Sequence, residues 1–599
     1  MISFPQKHMT QLIKGFYARQ YSCGTRMGFG IALPPFRCER DLVRPHVMLK
    51  RELPSDEIEC ICSAEKQADR CLERLQLSRL RPDESVWVVL TAAILQIERA
   101  QAEFGQHSDA YRSAKINLGR YCPMIIRWLG GTLPDQVDPN APRWWNSVVE
   151  TLANDDIRIA SCYDAFQCSY PMWHRDCVHA SVGADAVIRF TVAGNMRDTQ
   201  VNAYQQGHRP IHGLFQRRPE RSLEPTESML RRYQRILSEA VTTDPYGFRY
   251  EHSYELARRT YNGYSGLFAQ ELRRSEGISL GDYTLAEYKR FYTAIKALSA
   301  IHDYLCFRWM MAGHSYPCSS AVMVMARSEW VHLLSFHSEL SPEMTDKVIS
   351  DLTFYSKRLP DLHLFPFVPL DQSHSTLAVA PHFVLNSNLE ENILRVCSYL
   401  RPDAYNLLSN DKERTMREEI ICKLGRFSVH HSIDLPDGST EIDLIVEDKA
   451  SSTVLIAELK WYRKPVTYRE RLKTHEQFLD GVNRQLKTVK QFCRQNPRFL
   501  QQRHFVQRSL ADYDRVYYML IARDYWAWIE PDDATSVVDA DQFLDFVSRH
   551  SSLYSALSDL LLYEWLPIEG RDFLVRYDRA QVEGVTIETE VFYGAPSLS

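Results

Sequence analysis

The sequence predicts an α/β module at the C-terminal end, behind a large and mainly α-helical N-terminal region. Three observations carry that expectation. The stretch Gly438–Trp461, GSTEIDLIVEDKASSTVLIAELKW, holds two short apolar runs, Glu441–Glu447 and Thr453–Trp461, around the polar turn Asp448–Ser452. Their β-branched content and length read as a hairpin. Helical patterns lie on both sides, Asn410–Leu424 before it and Thr474–Cys493 after it. Upstream, apolar residues recur mostly at three- and four-residue steps, the period of helices packed on a core.

At 599 residues, two to four domains are expected. With 45% hydrophobic and 25% charged residues, the chain has the composition of a globular protein and not of a disordered one. The longest apolar run, Val86–Ile97, is too short to cross a bilayer, so no membrane partner is expected. Met1–Arg19 lacks a basic-then-apolar leader pattern, and the 14 cysteines are scattered, so a reducing cytoplasm is the expected compartment.

Taken in order, residues 1–206 read as a mixed, mostly helical region. It has helices over Ser63–Leu80, Asp83–Phe104 (Asp83 as N-cap) and Ala141–Asn154, and strands over Val187–Val192 and Thr199–Tyr204. Cys162, Cys168, His174, Cys177 and His179 fall close together, but their spacing matches no zinc module. Buried free cysteines are common, and no zinc site is assigned. Residues 207–225, rich in Pro and Arg (Arg217, Arg218 and Arg221), read as a linker. Residues 226–384 read as a second helical region with helices over Glu227–Ala240 and Tyr250–Leu272. A capping box at Thr284–Glu287 opens a helix to about Phe307, and another helix starts at Ser341-Pro342. Prolines 360, 366, 369 and 381 then mark an extended connection.

Residues 385–599 read as the α/β module. The helix Asn410–Leu424 stops at Gly425, followed by a strand over Arg426–Leu435 and a tight turn at Pro436–Gly438. After the hairpin, Phe478, Val482, Leu486, Val489 and Cys493 form the apolar stripe of the next helix, with Gln485 on it. Arg515–Ala522 reads as a strand, Ser552–Trp565 as a helix, and Phe573–Tyr577 and Val585–Phe592 as edge strands.

The chemistry concentrates in the hairpin. Asp443 is an acid inside one apolar strand, and Glu458 and Lys460 share a face of the other. Buried charges need partners, and two neighbouring carboxylates repel unless a cation or proton lies between them. Oxygen ligands of this kind suit Mg²⁺. A second reading of the same residues is an ion pair at a strand end without catalysis.

An acid on one strand followed by acid-x-Lys on the next resembles the PD-(D/E)xK, or restriction-endonuclease-like, nuclease superfamily. Asp443 matches the first acid, Glu458 the second and Lys460 the lysine, while Ile442 stands where the family often has proline. The order helix, strand, strand, strand, helix also matches. The resemblance implies a mixed central sheet flanked by helices and Mg²⁺-dependent phosphodiester hydrolysis, with Mn²⁺ able to substitute. The metal would be held by Asp443, Glu458 and the Leu459 backbone carbonyl, with Lys460 acting on water and phosphate. It further implies a site-ordering role for Gln485, although the tyrosine that often follows four residues later is Val489 here. A helix acid is also implied, to be chosen from Glu413, Glu418 and Glu419, of which Glu419 is preferred for preceding Ile420-Ile421.

Nucleic acid, with DNA ahead of RNA, is the implied partner. The formal net charge of −5 does not suggest a basic protein, but Lys460–Arg515 carries 14 Lys/Arg against 5 Asp/Glu. Arg463, Lys464, Arg484 and Lys487 are the expected phosphate contacts. Such a module behind an unfamiliar front end looks like a prokaryotic defence effector against phage or mobile DNA. The N-terminal region is the surface where a protein partner or a second copy would dock. A rival reading is a nuclease-like module that binds without cutting.

Overall fold

The computed structural model covers the chain, and it describes residues 55–105, 108–129, 133–173, 178–183, 187–192, 194–207, 241–244, 247–250, 258, 261–262, 276–311, 314–354, 361–436, 438–465, 468–532, 535–582 and 585–594. The expected linker beyond Gly207, the helix Glu227–Ala240, most of Tyr250–Leu272, and His174 and Cys177 lie outside the described residues.

The front of the molecule is mainly helical around a large core, with Ile61, Ala64 and Cys71 of its first helix in a smaller, separate cluster. Helix α1 spans Ser55–Leu72, α2 Pro82–Phe104, α3 Asp109–Trp128 and α4 Ser147–Trp173. Pro82 takes the first position of α2, where its missing N–H costs nothing, so the cap falls on Arg81 and not on Asp83. Helix α4 runs well past the expected Asn154, and it carries Cys162 and Cys168. Cys168 accepts a hydrogen bond from Arg120 Nη2 at 2.9 Å.

Strands β1, Val178–Val182, and β2, Val187–Val192, form an antiparallel pair. The expected strand Thr199–Tyr204 is instead part of helix α5, Met196–Gln205. Asn195 accepts from the Arg197 and Asp198 amides, and Asp198 accepts from the Asn195 amide, a reciprocal cap that nucleates the turn. Two short strands follow, β3 (Val241–Asp244) and β4 (Gly247–Tyr250).

The spine of the front core is α6, Leu285–Met311, opened by the Thr284/Glu287 box. Its Tyr288, Phe291, Ile295 and Leu298 are buried at helical spacing. Beyond it come β5 (Met323–Ala326), α7 (Arg327–Ser338) and α8 (Pro342–Asp351, capped by Ser341). The proline-rich connection is more regular than expected. Strands β6 (Val368–Pro369) and β7 (Thr376–Val379) join β5 in a sheet of order β5-β7-β6. Helices α9 (Pro381–Asn386) and α10 (Leu389–Leu400) still contribute Phe383, Ile393 and Leu394 to this front core.

A second core begins along α11, Pro402–Lys423. It packs against a five-stranded sheet of order β12-β11-β10-β9-β8. The strands are β8 (Ser428–Asp434), β9 (Glu441–Asp448), β10 (Thr453–Trp461), β11 (Arg515–Arg523) and β12 (Thr535–Asp539). The first three run antiparallel, and β10, β11 and β12 run parallel, so the sheet is mixed. The β9–β10 turn is tied by Asp448, which accepts from the Ala450 amide at 3.1 Å and the Ser451 hydroxyl at 2.6 Å.

The helix after β10 is broken into α12 (Tyr468–Asp480), a π-helical turn over Gly481–Leu486, and α13 (Lys487–Gln495). Its predicted stripe, Phe478, Val482, Leu486, Val489 and Cys493, is buried throughout. After β12, Asp539 caps α14 (Ala540–Arg549), and Ser552 caps α15 (Leu553–Leu560).

The last strands correct an expectation. Phe573–Val582 (β13) and Val585–Gly594 (β14) do not extend the five-stranded sheet. They pair with each other, and β14 pairs in parallel with β2, Thr586 opposite Val187 through Thr589 opposite Phe190. The sheet edge offered by β2 is met by an alternating strand that buries Ile587 beside Ile188 and Phe190. Helix α5 crosses the other way and places Val201 and Tyr204 in the second core. Among the described residues, the first core draws on both sides of residue 206 and runs on to Leu408, and the second takes Val201 and Tyr204 from before 206. Among the described residues, no helix is long and apolar enough to cross a membrane.

Candidate active site

The β9–β10 ladder ends at Ala457 opposite Leu444. One step further along, Glu458 and Asp443 come to the same end of the sheet. There the Leu459 N–H donates to Asp443 Oδ2 at 2.8 Å. A side chain thus replaces a strand carbonyl, so the two strands part while β10 continues beside β11 to Trp461. Period-two alternation and burial on both faces leave these acids in the interior: Asp443 is 8% exposed and Glu458 is 3% exposed.

Lys460 Nζ lies 2.7 Å from Glu458 Oε1. Glu458 is nevertheless pushed up to about 7, first by burial and then by the charge of Asp443, and Lys460 only partly offsets them. The lysine moves the opposite way. Against burial, the charges of Glu458, Asp443 and Glu413 hold its ammonium well above the ordinary lysine value. The same carboxylates that favour the charged ammonium place it where it can orient water and stabilise negative charge.

Of the candidate acids on α11, Glu413 is the one whose charge acts on Glu458 and Lys460, whereas the preferred Glu419 turns to Arg523. Glu413 accepts from the Trp461 backbone N–H and is raised by burial, with Lys460 as the leading opposing charge. Glu419 Oε2 instead takes Arg523 Nη1 at 2.9 Å, and Arg523 also reaches Asp541 at 3.0 Å. Six residues along a helix rotate the side chain by about 240°, which takes Glu419 to another face. Glu413 lies one turn before Met416 on the buried line Met416, Ile420, Leu424, and that register was the available signal. Glu441 adds another acid beside Asp443; its pKa is raised by burial first, then by a hydrogen bond to Asp443 and that residue's charge.

Gln485 is half-buried in the π-helical turn. A Cβ at Gly481 would come within 3.0 Å of the Tyr462 hydroxyl and 3.7 Å of Gln485 Oε1, so the bare glycine lets this turn close on the end of β10. A π-turn rotates the residues that follow it relative to an unbroken α-helix, and such turns recur at functional sites.

The predicted phosphate contacts divide. Arg463 is built into the junction with the front region: its Nη1 donates to Ser398 Oγ at 2.6 Å and its Nη2 pairs with Glu470 Oε1 at 2.9 Å. With 14% of its side chain exposed, it is corrected from nucleic-acid contact to structural anchor. A buried guanidinium needs its carboxylate more than a solvated phosphate. Arg484 is exposed but held by Asp480 at 2.6 Å, one helical turn away. Lys464 and Lys487 are exposed.

Asp443, Glu458 and Lys460 thus converge, with Glu413 joining them from α11. The set fits a divalent cation on its own terms, because two buried carboxylates hold one of their number near neutrality for want of positive charge. Comparison of the chain with protein-family models, with curated proteins and with solved structures gave no match.

Proposed function

We propose that the chain is a metal-dependent nuclease that hydrolyses phosphodiester bonds, with DNA ahead of RNA as substrate, and that the PD-(D/E)xK resemblance describes its C-terminal sheet. The observation that carries this reading is the meeting of Asp443, Glu458, Lys460 and Glu413 at the parted end of β9 and β10. Mixed strand directions and the helices packed on the sheet support it.

Asp443 and Glu458 would hold Mg²⁺, or Mn²⁺ in its place, with the Leu459 carbonyl as the further ligand that the resemblance implies. When bound, such an ion supplies Lewis-acid activation of the phosphate and a more acidic water. Lys460, kept protonated by its three carboxylate neighbours, fixes positive charge where an anionic phosphate approaches. Glu413 sets Lys460 by its charge and binds the backbone beside it. Gln485 closes the site from the π-turn. Lys464 and Lys487, with Arg484 once Asp480 releases it, make the phosphate-facing rim. The front region would position the target or carry the partner surface, in the manner of a prokaryotic defence effector acting in the cytoplasm.

The test is Mg²⁺- or Mn²⁺-dependent cleavage of plasmid and single-stranded substrates by the full chain and by folded Asp443→Ala, Glu458→Ala and Lys460→Ala variants. Loss of cutting in all three is expected. Cleavage unchanged in all three defeats the assignment. Salt-sensitive binding without cutting in either metal moves the reading to a nuclease-like binding module, which the closed Glu458–Lys460 pair favours.

A further inference from the structure

A second group of metal-type ligands lies in the front core, far along the chain from the β9–β10 site. Glu98 on α2, Asp303 on α6 and His382 on α9 each offer a donor atom within 4.8 Å of the other two. They are the one such group of three found among the described residues. Three separate stretches bring them together, because α2 and α9 both pack on the front core whose spine is α6.

The two nitrogens of His382 differ. Its Nε2 lies 2.6 Å from Glu98 Oε1, so Nε2–H donates to a carboxylate. Its Nδ1 is buried and has no hydrogen-bond partner. The nearest anion to Nδ1 is Asp303 Oδ1 at 3.7 Å, too long for a hydrogen bond. The side chain is 8% exposed, so water does not satisfy that nitrogen cheaply.

That gap has the dimensions of two ligands on one ion. With metal–N and metal–O bonds of about 2.1 Å, a 3.7 Å separation subtends an angle of about 120°, near the tetrahedral range. A carboxylate on the far nitrogen is the usual device that fixes a ligating imidazole's tautomer and raises its basicity. Asp303 keeps 41% of its side chain exposed, which leaves room for water to complete a coordination shell. Lys115 stands at the rim, where its ammonium donates to Asn386 Oδ1 at 2.8 Å and covers the Tyr111 ring at 4.5 Å.

We propose that His382 Nδ1 and Asp303 bind a first-row divalent ion of the zinc type, with Glu98 orienting His382 through Nε2. The ion would pin α2, α6 and α9 together and make the front region a metal-bound unit, independent of any Mg²⁺ at Asp443 and Glu458.

The experiment is equilibrium dialysis of the full chain against Zn²⁺, with metal analysis, in an Asp443→Asn/Glu458→Gln background that silences the other carboxylate pair. About one Zn²⁺ per chain is expected to remain, together with a higher melting temperature than in EDTA. Asp303→Asn and His382→Ala should each remove the bound ion, and Glu98→Gln should weaken binding by roughly tenfold to a hundredfold. Melting curves in EDTA identify which variants fold; Asp303→Asn, at the exposed ligand, keeps the test alive if His382→Ala does not. Sub-stoichiometric Zn²⁺ on the folded parent, or full retention by folded Asp303→Asn, overturns the assignment. The cluster is then a histidine held between two acids by protons alone.

Discussion

Glu458→Gln separates stability from chemistry at the same atom. In the native fold this carboxyl is pushed up to about 7 by burial and Asp443, against an ordinary value of 4.5. Below pH 4.5 the native and unfolded chains both carry the proton. As pH climbs toward about 7 the unfolded chain ionises in water while the native fold resists, so stability falls across that interval. At about 1.4 kcal/mol per tenfold change in proton affinity, the loss is roughly 3 kcal/mol, and the return from Lys460 is already within it. Glutamine keeps the shape and an acceptor for Lys460 but has no charge to bury. In EDTA at pH 8, Glu458→Gln is therefore expected to unfold later than the parent by about 1–3 kcal/mol, with the difference closing toward pH 4.5. Cleavage should vanish, and Mg²⁺ should stabilise the parent far more than the variant. Denaturant melts in EDTA and in Mg²⁺ at the two pH values measure all of this. A glutamine variant no more stable than the parent at pH 8 would refute the account of a frustrated carboxylate pair.

Glu413→Gln should lower the cleavage rate by roughly tenfold to a hundredfold, because it removes a charge that holds Lys460 protonated and placed. Glu419→Gln should leave the rate within about twofold and cost under about 1 kcal/mol in a thermal melt, since half of its side chain is solvated and Arg523 retains Asp541. Arg463→Ala is expected to destabilise the chain by about 1–2 kcal/mol, because Glu470 loses its shortest ion pair but keeps Arg395 and the Tyr399 hydroxyl, read by thermal unfolding, without changing the salt dependence of DNA binding. Lys464→Ala and Lys487→Ala should each reduce the slope of log affinity against log salt by about 0.9, with little change in melting temperature.

The hairpin and its three polar residues were legible because strand chemistry is local. Period-two alternation puts Glu458 and Lys460 on one face, and the Asp448–Ser452 turn sets the register that brings Asp443 across. The choice among Glu413, Glu418 and Glu419 needed the roll of α11 on the sheet, which the buried line through Met416 and Ile420 encodes but a neighbouring apolar pair does not. Thr199–Tyr204 reads as a strand on a weak local alternation, which the reciprocal Asn195–Asp198 cap outweighs in favour of a helix. Arg463 misled for a different reason. Its partners Ser398 and Glu470 belong to the contact between the two cores, and no local pattern carries that information. The π-turn before Gln485 was likewise invisible, since its stripe still reads as helix from end to end.

The parallel pairing of β14 with β2 ties Thr586 to Val187, about four hundred positions apart. During synthesis, the edge of β2 stays open until nearly all of that intervening length has left the ribosome, and closing so long a loop is slow. The front sheet is therefore completed after the hairpin bearing Asp443 and Glu458 has been made. A fragment ending short of residue 585 would carry those acids and yet leave the β2 edge bare, an adhesive surface that invites aggregation.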